Sequence, residues 1–300
     1  MSSFTLETDQ GLISITDTAL RNDSSTLFLI HGNSSSSRIF HHIFCSPTIT
    51  QRWRIVTFDL PGHGSSSKAP DPGKSYHMRG YADLAVHILE HLNIESVIVL
   101  GWSLGGHIGI EMVSLIKSPS TYVNSKKIKL RGIMITGTPP ALGRDQVRQG
   151  FTMANEHGDL GLAGQQYWSE EETRAFSTNS AAAGIVKFWE PWMHEDAKNT
   201  DGRARMIMAR NFVGSGDEGA VGVDQRSVVE SEDVLIAVVN GAEEQFVNLE
   251  YLEGIRWKRL WKGECVRLEG LHHAPFWEDP VGFEKVLVEF CEECEKEGEA

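Results

Sequence analysis

The stretch "VIVLGWSLGGHIGIEM" at 97–112 carries a serine, Ser103, with glycine two residues before it and two after. A serine in the pattern G-x-S-x-G, between a buried strand and a helix, is the arrangement that presents a hydroxyl nucleophile on a sharp turn. Flanking glycines are needed there because a Cβ would collide with the neighbouring strand and helix. The helix that follows starts at its positive dipole end, which favours developing negative charge. With 29 glycines in the chain, a chance match is common, so the setting of apolar strand before and helix after carries the reading.

A serine hydroxyl is a weak nucleophile until a base takes its proton, and the base must itself be oriented. Twelve histidines compete for that role. "EGLHHAPFWEDP" (269–280) follows the last expected strand and precedes the last expected helix. Of its two adjacent histidines only one can face the serine, and His273 is chosen because "HAPF" reads as the end of this loop. His272 is then a packing or solvent residue, and most of the other histidines read as exposed helical positions. The orienting acid is expected after the strand "VLIAVVNG" (234–241). Glu244, three residues past the glycine, is favoured over Glu243, with Asp224 and Asp233 behind. An oxyanion needs two donors. One is the N–H of Leu104, and the other the N–H of Asn33 in "LFLIHGNSSSS" (27–37), where Gly32 lets the backbone turn.

These residues must be held by a frame. Apolar runs at 26–30, 54–58, 96–100, 132–136, 234–239 and 265–268 read as strands buried on both faces of a parallel sheet. Between them, 81–92 and 105–116 space their apolar residues by three and four, as crossover helices do. The expected fold is α/β, an open, mostly parallel sheet flanked by helices. The rhythm breaks over 138–231, which is rich in Trp, Phe and Met and shows no clear strand. This stretch reads as a helical lid on a core formed by 1–137 and 232–300, set over the carboxyl edge of the sheet where α/β ligands bind. "FDLPGHGSS" (58–66) reads as a structural turn, and "SPSTYVNSKKIKL" (118–130) as a polar surface loop.

Composition narrows the partners. With 300 residues, a formal charge of −13 and 40% hydrophobic residues, the chain has the make-up of a soluble globular protein. The acidic balance argues against nucleic acid or an anionic membrane as main partner. No run approaches the roughly 18 apolar residues of a membrane span. The N-terminus "MSSFTLETDQ" has no basic patch or apolar run, and the expectation is a cytoplasmic protein. Cys291 and Cys294 form a lone C-x-x-C in "FCEECEKEGEA", expected to be a polar, fraying helix end. No metal site and no cofactor are expected.

The order Ser103, Glu244, His273 is that of the α/β-hydrolases. Together "HGNSSSSRIF", "DLPGHG", "GWSLGGHIGIEM", "ITGTPP", "TDGRAR", "IAVVNG" and "HAPF" resemble the α/β-hydrolase-fold N-acyl-homoserine lactonases, which open the lactone ring of bacterial quorum signals without metal. The likeness runs along almost the whole chain and includes lid pieces. It implies Ser103, Glu244 and His273 as the triad, Asn33 and Leu104 as oxyanion donors, and a small lactone or ester as partner. Trp102, Trp168, Phe176, Trp189 and Met208 are the expected lining of the acyl pocket. Haloalkane dehalogenases and epoxide hydrolases share "HGN" and "GWSLGG" but use an aspartate nucleophile, which Ser103 excludes. The dense H-x-H-x-D-H cluster of metal-dependent lactonases is absent. Departures from the family are Phe176, where close relatives carry a tyrosine, His272, where glycine is usual, and the extra loop at 118–130 and acidic tail. These leave the chemistry intact and bear on the substrate, so a carboxylesterase acting on another small ester or lactone remains an alternative. A non-catalytic, receptor-like use of the fold is a third reading, which the complete triad disfavours.

Overall fold

The computed structural model describes residues 2–20, 24–117, 128–153, 160–215 and 219–296; most of the 118–130 loop therefore lies outside the described residues. Among the described residues eight strands form one sheet: β1 (Ser2–Thr8), β2 (Gly11–Asp17), β3 (Thr26–Ile30), β4 (Arg54–Phe58), β5 (Ser96–Trp102), β6 (Lys129–Thr136), β7 (Leu235–Gly241) and β8 (Val266–Leu268). Their order is β1-β2-β4-β3-β5-β6-β7-β8. The pairs from β4 to β8 are parallel, whereas β1 with β2 and β2 with β4 are antiparallel.

Alternation along each central strand divides the apolar residues between two cores, because successive side chains leave a strand on opposite faces. Phe28, Ile30, Val56, Val97, Val99 and Ile133 pack on one side with the helices Met78–His91 and Leu104–Lys117. Leu27, Leu29, Ile55, Ile98, Leu100 and Met134 pack on the other with the helix Pro280–Lys296. Phe283, Leu287, Phe290, Cys291 and Cys294 on that last helix are all buried. The helix runs through Lys296, so the fraying end expected of "FCEECEKEGEA" is wrong as far as that residue, and residues 297–300 lie outside the described residues. The two thiols fill the helix's inner face, and Cys294 Sγ lies 2.5 Å from where a Cβ on Gly132 of β6 would stand. Burial pushes the Cys291 thiol well above its ordinary range.

The β1–β2 hairpin escapes a search for continuous apolar runs because it is only half buried. On β2, Ile13, Ile15 and Asp17 face inward while their neighbours are less covered. Asp17 is buried because Arg54 on β4 meets it with two hydrogen bonds, Nε to Oδ1 at 3.0 Å and Nη2 to Oδ2 at 2.6 Å. Such a bidentate pair satisfies both charges inside.

Between β6 and β7 run the helices Arg144–Gly150, Glu170–Ala182, Pro191–Asn199, Gly202–Val213 and Gln225–Ser231. Local chemistry starts two of them. "SEEE" forms a capping box, Ser169 Oγ accepting from Glu172 N and Glu172 Oε2 from Ser169 N, which satisfies two orphan donors. In "TDGRAR", Asp201 accepts from Arg203 N and Nε and from the Tyr76 hydroxyl at 2.9 Å. Asp201 N also donates to Gly62 O at 2.8 Å, tying the inserted helices to the turn after β4. No helix among the described residues is long and apolar enough to cross a membrane.

Candidate active site

Ser103 follows β5 and immediately precedes the helix Leu104–Lys117. Its φ of +53° is a left-handed conformation that costs a non-glycine residue of order 1–3 kcal/mol and persists only where surroundings impose it. They do: Ser103 N donates to Thr136 O at 2.8 Å, and Thr138 Oγ1 donates to Ser103 O at 2.8 Å. A Cβ on Gly105 would stand 1.9 Å from Ile30 O, and one on Gly101 2.4 Å from Gly105 O. The two glycines therefore let helix and sheet close around the turn, which holds the serine above the sheet edge.

His273 Nδ1 lies 2.7 Å from Glu244 Oε2, with 6% of the histidine side chain exposed and none of the glutamate's. The loop carrying the ring is pinned by Trp102, whose Nε1 donates to His273 O at 2.9 Å. Glu244 is held by its other oxygen, which accepts from Phe246 N at 2.8 Å. Gly137 is needed beside the ring: at φ +64°, any Cβ there would be 2.4 Å from His273 Cε1. The neighbouring histidine turns elsewhere. His272 Nδ1 is 2.9 Å from the buried Glu278 carboxylate, which also accepts from the His272 and Ala274 N–H groups. Glu243 is exposed, Asp224 caps the helix Gln225–Ser231, and Asp233 pairs with Arg259 at 3.2 Å.

The loop after β3 is held by histidine and aspartate. Leu60 N donates to His31 Nε2 at 3.0 Å, so that nitrogen is the acceptor. The proton then sits on Nδ1 and is donated to Gly32 O at 2.8 Å. Burial lowers the pKa of His31, and burial, then the adjacent His31, pushes His63 down to about 3. Both rings are neutral structural parts. Asp59 accepts from Ser37 N and Ser65 N, each at 2.8 Å, which joins "HGNSSSS" to "DLPGHGSS". The N–H groups of Asn33 and Leu104 have no protein acceptor among the described residues, and both residues line the same cavity as Ser103 and His273.

That cavity has a volume of about 220 Å³. Of the expected pocket residues, Trp102, Phe176 and Met208 line it. Trp168 and Trp189 do not. Trp168 stands behind Phe176, ring centroids 4.6 Å apart. Its other partners are the Arg205 guanidinium, 3.6 Å from the ring centroid, and Leu162 O, which accepts its indole N–H. Trp189 packs against the core on the Pro280–Lys296 side. Among the lining residues that sequence reading missed are Phe151, Asn179, Phe212, Phe246 and His107. His107 is 3% exposed, not the surface residue expected of a helical histidine. Its signal was in the sequence, since it lies four residues after Ser103 on the helix face that carries the nucleophile. No cluster of three or more His, Cys, Asp or Glu able to hold a metal occurs among the described residues.

A strained serine at a strand-to-helix turn, a histidine and glutamate delivered after later strands, and a mostly parallel sheet define a class. The family model described as the alpha/beta hydrolase fold matches residues 25–280, and the chain belongs to that family. Within it, the chain is similar along nearly its whole length to the N-acyl homoserine lactonase AidH. The crystal structure of AidH complexed with N-butanoyl homoserine shares 38% identity over 98% of this chain and 97% of that one, with a TM-score of 0.84. A glycine-for-serine variant of AidH complexed with N-hexanoyl homoserine lactone gives 38%, 98% of either chain and 0.85. Curated relatives match over less: the magnesium-chelatase 30 kDa subunit of Rhodobacter capsulatus is 30% identical over 90 residues, 30% of this chain and 30% of its own length.

Proposed function

We propose that this chain is a metal-independent serine hydrolase of the cytoplasm that opens the ester ring of N-acyl-homoserine lactones, with residues 138–231 acting as the lid of the site. The observation that carries the reading is His273, held by Glu244 at 2.7 Å, lining one largely apolar cavity with the strained Ser103. The likeness to AidH, solved with a lactone and with ring-opened acyl homoserines, supports the substrate class.

With Nδ1 engaged by Glu244, Nε2 is the ring nitrogen left to act as base. Ser103 Oγ attacks the lactone carbonyl and gives its proton to His273 Nε2. The N–H groups of Leu104 and Asn33 stabilise the oxyanion, each donor contributing about 3–4 kcal/mol in sites of this kind. Collapse breaks the ring C–O bond, and His273 returns the proton to the ring oxygen. That alcohol stays tethered to the acyl-enzyme, so reclosure competes with hydrolysis. Water activated by the same histidine then frees the acyl homoserine, whose new carboxyl group ionises.

Acid release in lightly buffered solution tests this. The protein mixed with N-hexanoyl homoserine lactone and EDTA is expected to release one proton per lactone, and the Ser103→Ala variant none above background. Cleavage of p-nitrophenyl acetate without cleavage of the lactone would overturn the lactone reading in favour of the esterase. Loss of activity on EDTA addition would overturn metal independence.

The lid wall has its own expected result. Phe176 offers its ring to the cavity and is backed by Trp168. Replacing it with alanine removes apolar surface from the acyl arm, and kcat/KM for N-octanoyl homoserine lactone is expected to fall about tenfold. The butanoyl substrate, with fewer methylenes to bury, should lose less, as a chain-length series of kcat/KM would read.

A further inference from the structure

Away from the triad and Asn33 the largely apolar wall carries few polar residues, and one of them, His107, comes from the helix that follows the nucleophile. His107 forms a triangle of rings with Phe212 and Phe151, whose centroids lie 4.8 Å and 5.9 Å from its own and 6.2 Å from each other, and all three residues line the cavity. Its tautomer is set from behind. Gln225, fully buried, donates through Nε2 to the His107 carbonyl at 3.5 Å, which turns its Oε1 to His107 Nδ1 at 2.7 Å. An amide oxygen only accepts, so Nδ1 carries the proton and Nε2 keeps its lone pair. Nε2 has no protein partner among the described residues, yet unlike His63 Nε2 it is not a sealed, unpaired atom of the interior. It opens to the cavity. Burial pushes the ring's pKa down to about 4, against the raising effect of the Gln225 hydrogen bond, so it stays a neutral acceptor at working pH.

We propose that His107 is a specificity-determining residue whose Nε2 accepts a hydrogen bond from a hydroxyl on the third carbon of the acyl arm, so that 3-hydroxyacyl lactones are preferred to 3-oxoacyl ones. The inference rests on the lactonase reading above. Four residues of helix separate His107 from Ser103, a rise of about 6 Å. From the carbonyl at Ser103 to the third acyl carbon is five bonds, a similar span for an extended chain. The aromatic rings of Phe151 and Phe212 beside His107 suit the methylenes around that carbon. A hydroxyl there satisfies the lone pair. A ketone sets acceptor against acceptor and leaves both without a donor, which is costly in a dry site.

The test is kcat/KM for the 3-hydroxyoctanoyl, 3-oxooctanoyl and octanoyl homoserine lactones. The wild type is expected to favour hydroxy over oxo about tenfold. His107→Phe keeps a ring in place without the acceptor and should bring the ratio to within about twofold. Gln225→Glu puts a carboxylate, still an acceptor, against Nδ1, as Glu244 does at His273, so Nε2 stays an acceptor and the preference should persist. A wild-type ratio near one, a preference unchanged in His107→Phe, or a preference lost in a folded Gln225→Glu variant overturns the proposal. So does an equal loss by His107→Phe on all three substrates, which would assign Nε2 to the amide N–H they share. If the wild type opens none of the three but cleaves p-nitrophenyl acetate, the lactonase reading itself has failed, an outcome distinct from equal ratios among lactones that are opened.

Discussion

Replacing Ser103 with alanine is expected to lower kcat on N-hexanoyl homoserine lactone by about 10⁵-fold or more, while thermal unfolding shifts by only a few degrees. The two halves of the expectation have separate causes. Alanine lacks the oxygen that forms the acyl-enzyme bond, and His273 cannot replace it by better proton transfer. The turn, by contrast, is imposed by backbone: the Ser103 N–H and C=O are engaged by Thr136 and Thr138, and Gly101 and Gly105 admit the close approach of helix to strand. Alanine inherits the left-handed φ of +53° and its strain without adding to it. The oxyanion donors also remain, so a residual rate above water is expected. Steady-state kinetics beside a melting curve separates the effects. A folded variant retaining more than about a hundredth of wild-type kcat would place the nucleophile elsewhere, because no neighbouring group can match a positioned serine.

Legibility in the sequence followed how each feature is encoded. Strands buried on both faces are written as continuous apolar runs, and "TLFLI" and "RIVTF" coincide with β3 and β4. The β1–β2 hairpin is written as alternation with one inward face and does not register as a run. Ser103 was legible because a strained turn between strand and helix demands glycines at fixed offsets. His273 and Glu244 were legible by their place after late strands, although only the trailing "HAPF" separates His273 from His272. It is Glu278, six residues beyond His272, that takes its ring. The wall of the cavity was least legible. A tryptophan in a lid reads alike whether it faces a ligand, backs another ring as Trp168 does, or joins a core as Trp189 does. Only packing across segments distant in sequence decides. His107 was overlooked because a histidine on a crossover helix is usually solvated, whereas this one has its polar partner at Gln225, 118 residues away.

Glu244→Gln is expected to lower kcat by about 10⁴-fold, the size seen when a triad loses its tautomer rather than its shape. The argument turns on which atom of the amide can face the ring. In the native site Glu244 Oε1 accepts from Phe246 N at 2.8 Å and Oε2 meets His273 Nδ1 at 2.7 Å. Glutamine has one oxygen for these two positions. The backbone N–H of Phe246 can only donate, so the oxygen must stay there and the NH₂ must point at Nδ1. An NH₂ group donates, which forces Nδ1 to accept and moves the imidazole proton to Nε2. The ring nitrogen that should take the proton of Ser103 is then already protonated. Nothing else need move, so the variant should fold normally, and nitrogen NMR of the His273 ring should find the proton on Nε2 instead of Nδ1. The loss of rate and the exchanged proton are one effect seen twice. A glutamine variant within about tenfold of wild-type kcat, or one whose ring proton remained on Nδ1, would remove Glu244 from the role of orienting the base.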